Sequence, residues 1–299
     1  GVLRVLTSPQ DANLIQSVEA ETASSGRRTA LARWLTHTDS QASGLLARVV
    51  VNRAWQRLFG RGIVETSDNF GVMGSPPDHP QLLDYLAVEF RDTGWRYKRL
   101  LQQLVATAAY RQSTARPARR ADTDPDNRLL SRMPLRQLDS EVLRDSVLAL
   151  SGQLDRSFGG PPVSTKPRAD GYVRIDPGQL RRPADAYRRS LYLLQRRRYH
   201  ESFLEAFGQP ELTKNCTQRS ATAVVSQSLT LINDQFMFEH SMALAERLRS
   251  ETQDQPLTAR IAMAFQMILS RPPDEAEQSW TGEFVERHSQ RYQTQTDLQ

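Results

Sequence analysis

The residues best suited to bind a ligand or to react lie in one loop, where Asp68, Asn69 and His79 flank a glycine-rich segment between two predicted helices. Carboxylate, amide and imidazole groups can converge on a ligand when rigid helices hold such a loop. The same residue types also form turn hydrogen bonds or lie in the first turn of a helix. We favour this structural use, because no metal-ligand spacing such as His-x-x-x-His accompanies them.

A second set of candidates lies on the helix predicted before that loop. Arg53 and Arg57 are four residues apart, so on a helix they share a face and could clamp an anion. Arginine between packed helices more often pairs with acidic residues of a neighbouring helix, such as Asp84, Glu89 or Glu141. The sequence leaves both uses open, and we favour the structural one.

The densest basic stretch combines arginine with tyrosine. It contains Arg181, Arg182, Arg188, Arg189, Arg196, Arg197 and Arg198, with Tyr187, Tyr192 and Tyr199 between them. Cations beside aromatic rings suit single-stranded nucleic acid and also sulfated or uronic polysaccharide. Because no helix-turn-helix, zinc-finger or RNA-binding signature occurs, we disfavour nucleic acid and prefer an anionic polysaccharide. Arg182, Arg189 and Arg197 are the ligand-binding candidates of this stretch.

Composition excludes several kinds of chemistry. The 299-residue chain has a net charge of +5 and a single cysteine, Cys216, so it cannot form an internal disulfide or a Cys-x-x-Cys site for zinc, iron–sulfur or haem. Serine-nucleophile and phosphate-loop motifs are absent. We therefore expect no metal and no cofactor in this chain, name no catalytic residue, and leave open whether it is an enzyme.

From its first residues we expect the chain to be a piece of a longer protein. The chain begins at Gly1 and has no charged-then-apolar leader. Its apolar runs are all much shorter than the ~20 residues of a membrane-spanning helix, so we expect no such segment.

Apolar periodicity predicts a mainly α-helical fold. A long amphipathic helix is predicted from Arg27 to Phe59, with Leu31 on its apolar side and Asn52 on its polar side. Asp78 then has the spacing of a capping-box residue that would start the next helix. That helix is predicted to end at 92–94, and a further helix through residues 100–108 completes an αα-hairpin.

The second half of the chain predicts helices separated by long loops. A helix is predicted over 138–154, and residues 159–186 predict an irregular segment with short strands. Residues 188–199 fit a buried strand or a helical turn, and we favour the strand. Helices follow at 200–207, 220–250, 257–269 and from Pro272 onward. The fold class is therefore mainly α, an irregular helical bundle with long loops and a small β element near 188–199.

Several blocks in order carry a resemblance to a known family. These are RVVVNRAWQRLFGRGIVETSDNFGVMGSPPDHPQLLDYLAVEF, LRQLDSEVLRDSVLALSGQLDRSFGGP, RRSLYLLQRR, QSLTLINDQF and LSRPPDEAE. Together they resemble the domain of unknown function fifteen fifty-three of planctomycete-type proteins. The chain departs from that pattern at Asn69, where a second aspartate is expected, and at Asp78, where threonine more often precedes the histidine. If paired acids bound a cation in the family, Asn69 weakens that role here.

The resemblance implies an organisation and a setting. Residues 1–26 are a tail from an upstream element, 27–250 the helical core domain, and 251–299 a C-terminal helical pair. The resemblance also implies an exported, extracytoplasmic (periplasmic) parent protein with other domains as partners, often including a cytochrome-c-like region. Haem is thus expected only in a separate upstream domain. No known reaction is implied.

Two functions follow as hypotheses. The first is a helical scaffold and interaction domain that binds a partner domain or an anionic glycan through loops 63–80 and 159–199. The alternative is an enzyme domain acting on sulfated carbohydrate, with redox coupling to a cytochrome-like region. An enzyme requires Asp68, His79 and nearby arginines to converge in one pocket that holds a perturbed ionisable group.

Overall fold

The computed structural model describes residues 6–9, 11, 25–115, 124–210, 219 and 225–296 of the chain. This part is mainly α-helical with one small antiparallel sheet, which confirms the predicted fold class. The chain divides into two compact units, Gly1–Arg136 and Gln137–Gln299. The family-based domain bounds, 1–26, 27–250 and 251–299, stay a prediction.

The N-terminal unit contains five helices in its described part. They are α1 (Arg27–Thr36), α2 (Gln41–Phe59), α3 (Pro80–Asp92), α4 (Tyr97–Val105) and α5 (Ala108–Arg111). The single helix predicted over 27–59 is thus two helices. The chain breaks because Ser40 is extended and caps α2, its side chain accepting from the Ala42 N–H at 3.2 Å. As predicted, α2 ends at a glycine, since Gly60 has a left-handed φ of +83°.

Helix α2 is the centre of the N-terminal core. It packs against α1, α3 and α4, and the Trp55 and Phe59 rings stack with centroids 4.2 Å apart. Two sequence predictions are wrong here. Leu31 is exposed, because α1 buries Ala30 and Trp34 instead, and Asn52 is fully buried among the apolar residues of α2.

Helix α3 starts differently from the prediction. It begins at Pro80, which needs no hydrogen-bonded N–H at a first-turn position, and His79 precedes it without a side-chain cap. Asp78 forms no capping box because its carboxylate pairs with arginines instead. The predicted end is confirmed, since Gly94 follows α3 with a φ of +82°.

The C-terminal unit combines helices with two short strands. Its elements are α6 (Ser140–Leu150), β1 (Thr165–Pro167), β2 (Val173–Ile175), α7 (Ser202–Ala206), α8 (Val225–Asn233), α9 (Gln235–Glu251), α10 (Leu257–Leu269) and α11 (Glu275–Thr296). Strands β1 and β2 pair antiparallel, with Thr165 opposite Ile175. The short strands predicted within 159–186 are confirmed. Asp234 separates α8 from α9, so the described part of the predicted 220–250 helix is broken.

The β element predicted near 188–199 lies elsewhere. Those residues contain a 3₁₀ turn at Ser190–Tyr192, directly after another at Pro183–Tyr187, and only Arg188 and Leu193 make isolated bridges. The backbone turns there because Asp145 on α6 accepts hydrogen bonds from both the N–H and the hydroxyl of Ser190, each at 2.7 Å.

The C-terminal unit buries an aromatic and aliphatic cluster around α7. It consists of Val163, Leu193, Phe203, Leu204 and Phe207, with Phe236 against it. The stripe predicted for the 138–154 helix is partly wrong, because Leu138 and Val142 are exposed while Arg144 is buried. In the described residues, no helix has the length and apolar character that crossing a membrane requires.

Candidate functional site

The loop between α2 and α3, residues 60–79, is fastened to α2 by Asn52. The Asn52 Nδ2 donates to the Val64 carbonyl at 2.9 Å, and its Oδ1 accepts from the Val64 N–H at 2.8 Å. Gly62 fits against this pair only because it has no side chain. A Cβ at Gly62 would lie 2.5 Å from the Val64 carbonyl oxygen and 2.7 Å from the Asn52 Nδ2. The start of the loop therefore needs both residues.

The middle of the loop satisfies its own polar groups. The Thr66 hydroxyl donates to the Asn69 carbonyl at 2.9 Å and accepts from the Ser75 N–H at 2.9 Å. The Asn69 side chain accepts from the Gly71 N–H at 3.1 Å, and a Cβ at Gly74 would overlap the Asn69 carbonyl. Asn69, a predicted ligand residue, thus forms a turn hydrogen bond.

The tip of the loop presents two apolar side chains to solvent. Val72 is fully exposed and Met73 is 89% exposed. They lie between Gly71 and Gly74, and the Gly74 N–H donates to the Gly71 carbonyl at 2.9 Å. The tip therefore combines an ordered backbone with an uncovered apolar surface, the combination expected of a contact surface.

Asp68 and His79 have different surroundings. Asp68 is exposed and has no hydrogen-bond partner in the described part of the chain. The His79 Nε2 lies 3.0 Å from the Arg128 carbonyl oxygen, so this nitrogen must carry the proton to donate. His79 thereby ties the loop to the segment after residue 124.

A cavity of about 380 Å³ lies beside this contact. It is lined by Pro77, Asp78, Asp124, Pro125, Asp126, Arg128 and Leu129. Asp78 is paired with Arg128 and, at 3.6 Å, with Arg61. Neither Asp68 nor His79 is among the lining residues, so the structure does not bring the two together in this pocket.

Asp124 is buried at the wall of this cavity. Burial acts to raise the pKa of its carboxyl, but hydrogen bonds from the N–H groups of Leu129 and Ser131 outweigh burial and lower that pKa. Asp124 is therefore ionised and already satisfied. Within the described ranges, no group of three or more His, Cys, Asp or Glu residues could hold a metal ion.

Arg53 and Arg57 are exposed on α2. The acids predicted as their partners are taken. Asp84 pairs with Arg48 at 2.8 Å, Glu89 accepts from Gln103 at 2.6 Å, and Glu141 pairs with Arg219 at 2.6 Å. Neither Arg53 nor Arg57 has an ion-pair partner among the residues that the structure describes. The structural pairing favoured for them is therefore wrong, since nearer polar groups occupy all three acids.

In the basic stretch of the C-terminal unit, Arg182 forms ion pairs with two nearby aspartates. Its Nη2 lies 2.7 Å from Asp185 and 3.1 Å from Asp155. These contacts hold the 3₁₀ turn that follows and leave Arg182 a structural role. Arg197 and Arg198 differ, because both are exposed and neither has a partner in the described ranges.

Tyrosine rings in the same stretch are covered by its own arginines. The Arg188 guanidinium stacks 3.7 Å from the Tyr192 ring centroid, and Arg189 lies 5.7 Å from the same centroid. Arg196 lies 5.6 Å from the Tyr199 ring centroid. The interleaving of arginine and tyrosine in the sequence therefore builds cation–π contacts within the protein.

Helix α6 positions this stretch through a buried arginine. Arg144 is 2% exposed, and its guanidinium donates to the carbonyls of Arg188 at 3.0 Å and Ala186 at 3.1 Å. Together with the bonds from Ser190 to Asp145, these contacts clamp residues 186–190 to α6. The sequence favoured a structural role for Arg144 with a distant partner but did not name that partner, because Ala186 and Arg188 lie 42 and 44 residues further along the chain.

The sequence blocks that resemble the family include the 60–79 loop and helix α6. Residues 27–285 match the family described as PSD1, protein of unknown function (DUF1553). The chain belongs to the PSD1 family. No curated protein and no solved structure matches it.

Two further ionisable groups of this PSD1 chain lie near Arg144. Burial raises the pKa of the Glu201 carboxyl, although a hydrogen bond from the Leu204 N–H and the charge of Arg144 oppose this. Burial, together with the charge of Arg144, lowers the pKa of His240, whose Nδ1 lies 3.3 Å from the Ser151 hydroxyl. Burial therefore favours the neutral form of both groups.

Proposed function

We propose that this PSD1 chain is a helical interaction domain that contacts another domain of its parent protein through the tip of the 60–79 loop. The observation that carries the proposal is the exposure of Val72 and Met73 on an internally hydrogen-bonded loop. Covering apolar surface contributes about 25 cal/mol per Å². An ordered loop also loses little conformational entropy when it binds.

The polar groups around the tip support a contact role rather than a chemical one. Asn69 and Thr66 are bonded within the loop, and His79 is bonded to the Arg128 carbonyl. The alternative, an enzyme acting on sulfated carbohydrate, has less support. Asp68 does not line the cavity beside His79, and the lowered pKa of Asp124 arises from backbone hydrogen bonds.

The test is a binding measurement with the remaining domains of the parent protein. We expect the V72S/M73S variant to bind them about tenfold more weakly, equivalent to about 1.4 kcal/mol. The matched control is V88S/L135S, which removes two exposed apolar side chains of the same unit that are not part of the loop. Equal affinity of V72S/M73S and wild type in calorimetry would refute the loop contact.

Anionic glycan is a second candidate ligand, carried by a different observation. Arg197 and Arg198 are exposed without partners in the described ranges, and Arg196 lies over Tyr199. Binding of a sulfated oligosaccharide should weaken about tenfold in R197Q/R198Q and decline with salt. R287Q/R291Q, which removes two exposed arginines of α11, is the matched control. If both double variants lose the same affinity, binding depends on net charge rather than on this segment.

The setting of the parent protein is proposed from the resemblance alone. We propose an exported, extracytoplasmic protein in which any haem belongs to a separate upstream domain. This location agrees with an interaction domain whose partners lie in the same chain. Heterologous export of the parent protein, followed by haem staining, tests both parts.

A further inference from the structure

Two arginines flank one tyrosine without an acidic partner. The guanidinium groups of Arg188 and Arg189 lie 3.7 Å and 5.7 Å from the Tyr192 ring centroid. Neither has a carboxylate within ion-pair distance in the part of the chain that the structure describes. The nearby acids Asp155 and Asp185 are both engaged by Arg182. The two arginines therefore lie side by side without an ion pair of their own, although Asp155 and Asp185 act on Arg188 at longer range, and a bound anion would reduce their repulsion.

Hydrogen-bond donors at the same place also lack acceptors. The Nε atoms of Arg188 and Arg189 are shielded from solvent and have no hydrogen-bond partner. The Tyr192 hydroxyl accepts from the Gly159 N–H at 2.9 Å, and among the described residues no acceptor is present for its own proton. Unsatisfied buried donors are rare, and an unseen ion is one recognised reason for them.

The surrounding structure holds these groups in place. Arg188 donates to the carbonyls of Gly159 and, at 2.9 Å, of Pro161, so it is fixed beneath the Tyr192 ring. Gly159 and Gly160 have left-handed φ values of +78° and +85°, which let this loop turn close to the arginine. Arg144 and Asp145 of α6 also hold residues 186–190 in place. The Gly159 loop and residues 186–190, which surround Tyr192, are therefore both preorganised.

We propose that Arg189 and Tyr192, positioned by Arg188 and the Gly159 loop, form a binding subsite for an oxyanion: a sulfate, phosphate or carboxylate group. Arg189, which is partly exposed, contacts the anion, and the Tyr192 hydroxyl donates its free proton to it. The buried Arg188 supplies positive charge and positions the tyrosine. The Gly159 hydrogen bond and the two arginines lower the pKa of Tyr192, consistent with a local positive field. The subsite deepens the glycan candidate and does not depend on the loop contact.

The experiment titrates the whole chain with sodium sulfate against sodium chloride at equal ionic strength, by calorimetry and thermal shift. Wild type should show sulfate-specific binding, weakened about tenfold in Y192F and in R189Q. R287Q, which removes an exposed charge on α11, should bind as wild type does. A second readout is the absorbance titration of Tyr192, taken as wild type minus Y192F. Bound sulfate should raise the pKa of Tyr192, because an anion favours the neutral phenol.

A parallel titration with a sulfated oligosaccharide separates the subsite from the glycan function. Binding of both ligands, lost in Y192F and R189Q, supports both. Binding of free sulfate alone supports the subsite and refutes the glycan candidate. The subsite is overturned if folded wild type shows no sulfate-specific effect, or if R287Q loses as much affinity as R189Q. If Y192F does not fold, R189Q decides alone.

Discussion

The loop at 60–79 and the stretch at 181–199 both lie between α-helices but have opposite surface chemistry. The loop bonds its polar groups to one another and exposes Val72 and Met73. The stretch pairs Arg182 but leaves donors of Arg189 and Tyr192 without acceptors. The first is therefore suited to an apolar partner surface and the second to an anion.

Each region is held by one buried polar residue on a helix. Asn52 on α2 holds the loop through both backbone groups of Val64. Arg144 on α6 holds the stretch through the carbonyls of Ala186 and Arg188. The comparison therefore predicts that each anchor controls only its own region.

The largest effect is expected for Asn52→Ala. Removing the side chain leaves the buried N–H and C=O of Val64 without partners, and we expect a loss of about 4 kcal/mol in the free energy of unfolding. Urea denaturation measures it. Gln56→Ala removes a single bond to Ser67 in the same loop and should cost only about 1 kcal/mol. Equal losses would show that Asn52 is not the main anchor.

Arg144→Met should cost about 3 kcal/mol, because it uncouples residues 186–190 from α6. Hydrogen exchange at the Ser190 amide should accelerate, while amides of the 60–79 loop keep their rates. R182Q, which breaks exposed ion pairs of the same stretch, should cost less than about 1 kcal/mol. Accelerated exchange in the 60–79 loop would contradict the prediction that Arg144 controls only its own region.

The pH dependence of Glu201→Gln tests the environment of Arg144. Because the pKa of Glu201 is raised in the folded protein, the native state retains a proton that the unfolded state releases above its ordinary value of 4.5. This group therefore lowers stability as pH rises through that range. Glutamine mimics the neutral form and still caps α7. We expect E201Q to be more stable than wild type at neutral pH, with the difference vanishing at lower pH. A constant difference across the titration would contradict this assignment.

The smallest effect is expected at Glu277, a partly exposed residue on α11 outside both regions. Arg271 and the Asp274 N–H lower the pKa of its carboxyl to about 2. Its contribution to stability is present above the ordinary value of 4.5 and declines as pH falls through about 2. NMR titration should show this pKa rising toward the ordinary value in R271Q. An unchanged pKa would show that the Asp274 N–H, rather than Arg271, lowers the pKa of Glu277.

The sequence predicted the helices well, because apolar periodicity is local. It placed Asn52 on the polar side of its helix, where a polar residue of an amphipathic helix normally lies. For Arg144 it favoured a structural role but did not name the partners, which lie 42 and 44 residues away. Asp78 was predicted to cap a helix because its pairing with Arg128, 50 residues away, leaves no local signal. Of the predicted site residues, Arg189 meets the proposed subsite, whereas Asn69 and Arg182 form structural bonds.

Methionine oxidation in the intact parent protein tests the central claim most directly. Met73 is 89% exposed in the described chain and should oxidise quickly when this chain is isolated. If the loop tip contacts another domain, Met73 should oxidise at least about fivefold more slowly in the parent protein, while exposed Met242 on α9 keeps its rate. An unchanged rate at Met73 would contradict the proposed function.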